Sequence, residues 1–121
     1  MGIDFGERRI GLAVAEGGLA EPLVIIEVDN QTSAIEEVVE VCQQEKIQKI
    51  VVGLPSGSSK VKKFGQKLAA ATGLEVIFWD ETLTSEEALS KMIEAGRPQR
   101  KRRHLDDVVA ALILQECLDS Q

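Results

Sequence analysis

Tyrosine is missing from this chain of 121 residues, and Phe5, Phe64, Phe78 and Trp79 are its only aromatic side chains. All four stand where the apolar periodicity predicts core, so recognition of single strands by base stacking has little to work with. A single histidine excludes a histidine metal cluster and leaves His104 as the one route to a Cys/His or Ser/His/Asp system. The two cysteines, Cys42 and Cys117, lie in apolar periodic stretches without CxxC or CxxH spacing. They read as buried free thiols of a reducing compartment, and a cytoplasmic protein without a cysteine-based metal site is expected. Long apolar runs are also lacking. Runs such as Val76 to Trp79 and Val108 to Leu114, the latter the longest, fall far short of the roughly 20 residues that cross a bilayer, so no membrane span is expected. No basic-then-apolar leader opens the chain, and Gly6 stands where a myristoylation signal needs Ser or Thr, so neither secretion nor a lipid anchor is expected. The length fits a single domain, residues 1–121, around one modest core.

The net charge of −6 conceals an uneven distribution. Arg97, Arg100, Lys101, Arg102 and Arg103 place five of the fourteen basic side chains within one short segment, and the other nine face twenty acidic ones. An acidic body with one intensely basic stretch is a pattern of nucleic-acid proteins that the net charge alone would hide.

Gly2 to Phe5 and Arg9 to Ala15 read as strands, the second with Ile10, Leu12 and Val14 on one face and Gly11, Ala13 and Ala15 on the other. Pro22 to Val28 reads as a third strand after Gly17-Gly18, which makes an antiparallel meander. Helices and strands then alternate. The capping box Ser33-Ala34-Ile35-Glu36 opens a helix to about Lys46, and Ile50 to Gly53 is a strand buried on both faces. Ser58 to Thr72 is a helix stopped by Gly73, and Glu75 to Trp79 is a fifth strand. A second capping box at Thr84-Ser85-Glu86-Glu87 opens a helix to Ala95, and His104 to about Asp119 is a final helix, apolar around most of its circumference. This order predicts an α/β fold with a mixed five-stranded sheet, a three-strand antiparallel meander plus two parallel strands, and helices on both faces. The GxGxxG fingerprint and the GxxxxGK[ST] phosphate loop are absent.

Three acidic positions punctuate these apolar elements. Asp4 lies in or at the end of the first strand, where burying a carboxylate is costly unless a cation or a turn hydrogen bond compensates it. Asp80-Glu81 stands at the carboxyl end of a strand just before a helix, where α/β sheets usually place their sites; helix-dipole complementation is the plainer explanation. Asp106 and Asp107 open the last helix. Asp106 shares a face with Val109, Ala110, Ile113 and Cys117, and Asp107 with Ala110, Ala111, Leu114 and Leu118, so periodicity leaves open which one points inward. Together the acidic groups supply the oxygen ligands that Mg²⁺ or Mn²⁺ prefers, and a cluster of three can hold two ions for phosphodiester hydrolysis.

Gly2-Ile3-Asp4-Phe5-Gly6 with Arg9 to Val14, Val51-Val52-Gly53-Leu54-Pro55, Asp80 to Ala88, and Leu105-Asp106-Asp107 through Gln115 resemble, in that order, the motifs of the YqgF (RuvX) family. The resemblance spans essentially the whole chain. It implies an RNase H-like fold related to Holliday junction resolvases and a nuclease that matures the ends of precursor small-subunit (16S) ribosomal RNA. It also implies the catalytic and metal-binding set Asp4, Glu81 and Asp106.

Two classes of function compete. One is a metal-dependent nuclease acting on precursor rRNA or, as a Holliday-junction-type resolvase, on branched DNA; the other is a nucleic-acid or ribosome-assembly binding protein without turnover. Cleavage that depends on a divalent metal separates them. An actin-like ATPase, suggested by the Asp4-Phe5-Gly6 turn, needs two such domains around its nucleotide. For either nucleic-acid reading, Arg97, Arg100, Lys101, Arg102 and Arg103 are the candidate backbone contacts, with Lys62 and Lys63 extending them.

Overall fold

The computed structural model describes residues 1–55, 58–80 and 106–120. The expected helix from Thr84 to Ala95 and the basic stretch after it lie outside the described residues.

The meander forms as its alternation predicts: β1 (Gly2–Phe5), β2 (Arg9–Glu16) and β3 (Leu19–Glu27) pair antiparallel. Gly17 and Gly18 both adopt positive φ, +63° and +86°, which a two-residue hairpin between twisted strands requires. β3 begins three residues earlier than the sequence predicts, at Leu19. Pro22 is accommodated because β3 is an edge strand and a register shift opposite Leu12 and Ala13 falls beside it.

α1 (Gln31–Gln44) starts one turn before the expected capping box. Asn30 takes the cap, its side chain accepting the Ser33 N–H at 2.9 Å, so Ser33 lies inside the first turn. β4 (Lys49–Leu54), α2 (Ser59–Thr72) and β5 (Glu75–Asp80) follow, with Ser58 as N-cap and Gly73 as the left-handed stop of α2. β4 runs parallel to both β1 and β5, giving the sheet order β3-β2-β1-β4-β5. α3 (Asp106–Asp119) is the last described helix.

Strand alternation divides the core into two layers. Ile3, Ile10, Leu12, Ile50 and Val52 face α1 and α2, where Val38, Phe64 and Leu68 close the larger cluster. Ala13 and Val51 face the other way, against Ala110, Ala111, Ile113 and Leu114 of α3. The small face of β2 is what lets α3 approach. Cys42 and Cys117 are free and buried, as expected, and the aromatics serve as core, with Phe5 and Phe64 ring centroids 4.5 Å apart. No helix among the described residues is long and apolar enough to cross a membrane.

Candidate active site

Asp4 stands on β1, the central strand, directly opposite Gly11 of β2. Opposed residues of an antiparallel pair project to the same face. Ile3 and Phe5 are committed to the α1/α2 core, so Asp4 is turned to the face that α3 covers. A side chain on Gly11 would point there too, but the space is taken. An ideal Cβ on Gly11 would lie 2.1 Å from the carbonyl carbon and oxygen of Asp106 and 2.4 Å from the amide nitrogen of Asp107. The first turn of α3 therefore rests on bare backbone beside Asp4. Gly2 does the same one turn further along, its ideal Cβ falling 2.5 Å from the Ala110 carbonyl oxygen. The structure thus brings together Asp4 and the Asp106-Asp107 pair at one end of one sheet face.

The two acids of α3 differ in setting. Asp107 is buried on the sheet side with Ala110, Ala111 and Leu114, and its Oδ1 accepts the Val108 N–H at 2.9 Å. Asp106 stays at the rim, where its Oδ2 accepts a hydrogen bond from Arg9 Nε at 3.3 Å; the side chains are 26% and 38% exposed respectively. Asp106 is thus the acid that a ligand can reach from solvent, and Arg9 is a member of the site that sequence reasoning missed. Its signal was present in the alternation, since Arg9 falls on the small face of β2 two residues before Gly11.

β5 ends at Asp80, level with Leu54 at the end of β4, and the parallel pairing places the carboxyl ends of β1, β4 and β5 along one edge. β4, the immediate neighbour of β1, ends in Leu54 with no carboxylate. Glu81 lies outside the described residues, as do Arg97, Arg100, Lys101, Arg102 and Arg103. No group of three His, Cys, Asp or Glu side chains able to hold a metal ion occurs among the described residues. The carboxylate pair at Gly11 has the oxygen chemistry a hard divalent cation prefers, and a further carboxylate would have to complete it.

Lys62 and Lys63 are exposed in the first turns of α2, in the layer opposite Asp4. Beside them Lys60 is paired with Glu7 of the β1–β2 turn. That hydrogen bond and charge hold the Glu7 carboxyl below the usual carboxylate range and raise the Lys60 ammonium. Lys67 donates to Gln31 Oε1 at 3.0 Å. α3 is clamped from its middle: Gln115 accepts the Ala20 N–H at 2.9 Å and donates to the Gly18 carbonyl at 3.0 Å, tying the helix to the β2–β3 hairpin.

Comparison with known proteins agrees with this architecture. The family described as "RuvX: Holliday junction resolvase" matches residues 1–120. A "Putative pre-16S rRNA nuclease" of Syntrophus aciditrophicus is 37% identical over 131 residues, covering 99% of this chain and 87% of that protein. Its namesake from Clostridium tetani is also 37% identical over 131 residues, covering 99% and 95%. Among solved structures, T. thermophilus RuvC in complex with a Holliday junction substrate superposes with a TM-score of 0.63 at 16% identity, covering 98% of this chain and 92% of that one. At that identity the likeness speaks for the fold, which is RNase H-like.

Proposed function

This chain belongs to the RuvX family of Holliday junction resolvases, and from that premise we propose that residues 1–121 form a single nuclease domain that hydrolyses phosphodiester bonds with a divalent metal, Mg²⁺ or Mn²⁺. Its substrate in this reading is the precursor of 16S rRNA, named by relatives that align over nearly the whole chain, and its place is the cytoplasm, where that RNA is processed. The observation that carries the proposal is the seating of α3 on Gly11, which sets Asp106 beside Asp4 on the central strand.

Asp4, Asp106 and Glu81 would hold the metal, which when bound stabilises the attacking and leaving oxygens of a phosphodiester. The protein's own contribution is rigidity. Asp4 is fixed by pairing on both sides of β1, and Asp106 by a helix packed against four strands of the sheet. An acidic site in an acidic protein repels phosphates, so Arg97, Arg100, Lys101, Arg102 and Arg103, with Lys62 and Lys63, supply the opposing charge along the substrate backbone.

The test is cleavage of an RNA carrying an extended 16S end, with a four-way DNA junction as competitor, in Mg²⁺ or Mn²⁺ and in chelator. Wild type should cut the RNA only with metal, and Asp4→Asn should lose cleavage by at least about 100-fold while keeping its thermal midpoint. Preferential cutting of the junction would move the substrate to branched DNA. Tight RNA binding without turnover would make the protein a binding module, and metal-dependent activity retained by Asp4→Asn would refute the site.

A further inference from the structure

Arg9 is a described cation in direct contact with the acidic site. It opens β2, opposite Glu27 of β3, and strand alternation puts its side chain on the face of Gly11, beneath the first turn of α3. From there Nε reaches Asp106 Oδ2, and both partners remain partly open to water. An ion pair that serves only to hold a helix down gains little at such exposure. The α3 seat, moreover, is already secured by backbone packing on Gly2 and Gly11 and by the Gln115 clamp. What the pair does control is the Asp106 carboxylate. A divalent cation that takes Oδ2 would repel the guanidinium and compete with it for that oxygen's lone pairs.

We propose that Arg9 is a positioning residue that holds Asp106 in the metal-free site and is displaced from it when a divalent cation binds, so that Arg9 sets the affinity of the site for metal. This rests on the metal-dependent reading above. The contact is suited to exchange: the bond is long and partly exposed, so it keeps Asp106 oriented without sequestering it. Arg9 also keeps positive charge beside the acids when no metal is present, easing their mutual repulsion.

The experiment is titration with Mn²⁺ alone, without nucleic acid, following free Mn²⁺ by electron paramagnetic resonance for wild type, Arg9→Gln, Arg9→Lys and Asp4→Asn. Arg9→Gln should bind Mn²⁺ more tightly than wild type by about fivefold at low salt, the scale of an exposed ion pair, with the gain fading as salt screens the charge. Arg9→Lys keeps the charge but loses the planar fork, so its affinity should fall between the two; it also carries the test if Arg9→Gln does not fold. Asp4→Asn should lose the binding. If Asp4→Asn loses Mn²⁺ while both Arg9 variants bind it no better than wild type, the metal reading stands and the role of Arg9 is overturned. If Asp4→Asn binds Mn²⁺ as wild type does, the metal reading fails and takes this proposal with it.

Discussion

Replacing Gly11 by alanine would put a methyl carbon 2.1 Å from backbone atoms of Asp106, a separation that forces α3 to move rather than a side chain to rotate. Overpacking of this kind costs about 1–3 kcal/mol. Gly11→Ala should therefore lower the thermal midpoint and reduce RNA cleavage by more than the fraction unfolded explains, because the shift carries Asp106 away from Asp4; wild-type cleavage would show that this close packing does not set the site. Cys42 yields a prediction of a different kind. Burial raises its thiol above the ordinary value of 9.0, so above that pH the unfolded chain releases a proton that the folded one retains. Stability from this group is then level below about pH 8.5 and falls as pH rises toward the raised value. Urea unfolding between pH 7 and 10 should show that decline, and Cys42→Ala should flatten it. At this scale the sequence was legible where one neighbour decides and silent where two were equivalent. Periodicity could not separate Asp106 from Asp107, because adjacent residues at a helix start differ only in which flank they offer to whatever packs there.

The described elements were readable from alternation and spacing. β1, β4, α2 and β5 lie within a residue or so of their expected bounds. The departures were local competitions that a pattern does not rank: Asn30 outbids Ser33 for the cap of α1, and the edge position of β3 tolerates Pro22. α2 carries four lysines and no acid, yet Lys60 is engaged by Glu7 and Lys67 by Gln31, which makes Lys62 and Lys63 its candidates for phosphate. Replacing both with alanine should flatten the slope of log affinity for uncleaved RNA against log salt by about 1.5, and replacing Arg100, Lys101, Arg102 and Arg103 by about 3, with sequence preference unchanged. An unaltered slope would return the tested residues to a solubilising role. The lysines stand in the layer opposite Asp4, so a smaller effect on cleavage than on binding is expected from the α2 pair.

Over the whole molecule, the proposed site, shared between the central strand and the last helix, would couple metal binding to folding. A ligand that binds only the folded state stabilises it, by about 2.7 kcal/mol at 100 times its dissociation constant. Mn²⁺ should therefore raise the thermal midpoint of wild type in a concentration-dependent way and leave Asp4→Asn unmoved. Equal shifts in both proteins would mean that the ion binds elsewhere. The same architecture bears on how an acidic protein could handle a polyanion: Asp4 and the Asp106-Asp107 pair lie at one end of one sheet face with Arg9 beside them, and Lys62 and Lys63 are carried on the opposite layer.

The sequence by itself determined the order of the described elements, the mixed sheet, the division of β2 into a bulky and a small face, and the acidic residues worth considering. Each depends on periodicity or on residue chemistry over a few neighbouring positions, which a linear pattern records. Only the tertiary structure decided that the small face of β2 is the seat of α3, that Asp107 is buried while Asp106 keeps to the rim, and that Arg9 holds Asp106. Those outcomes join residues 97 positions apart in the chain, and they follow from how closely two backbones can approach where glycine leaves the space open.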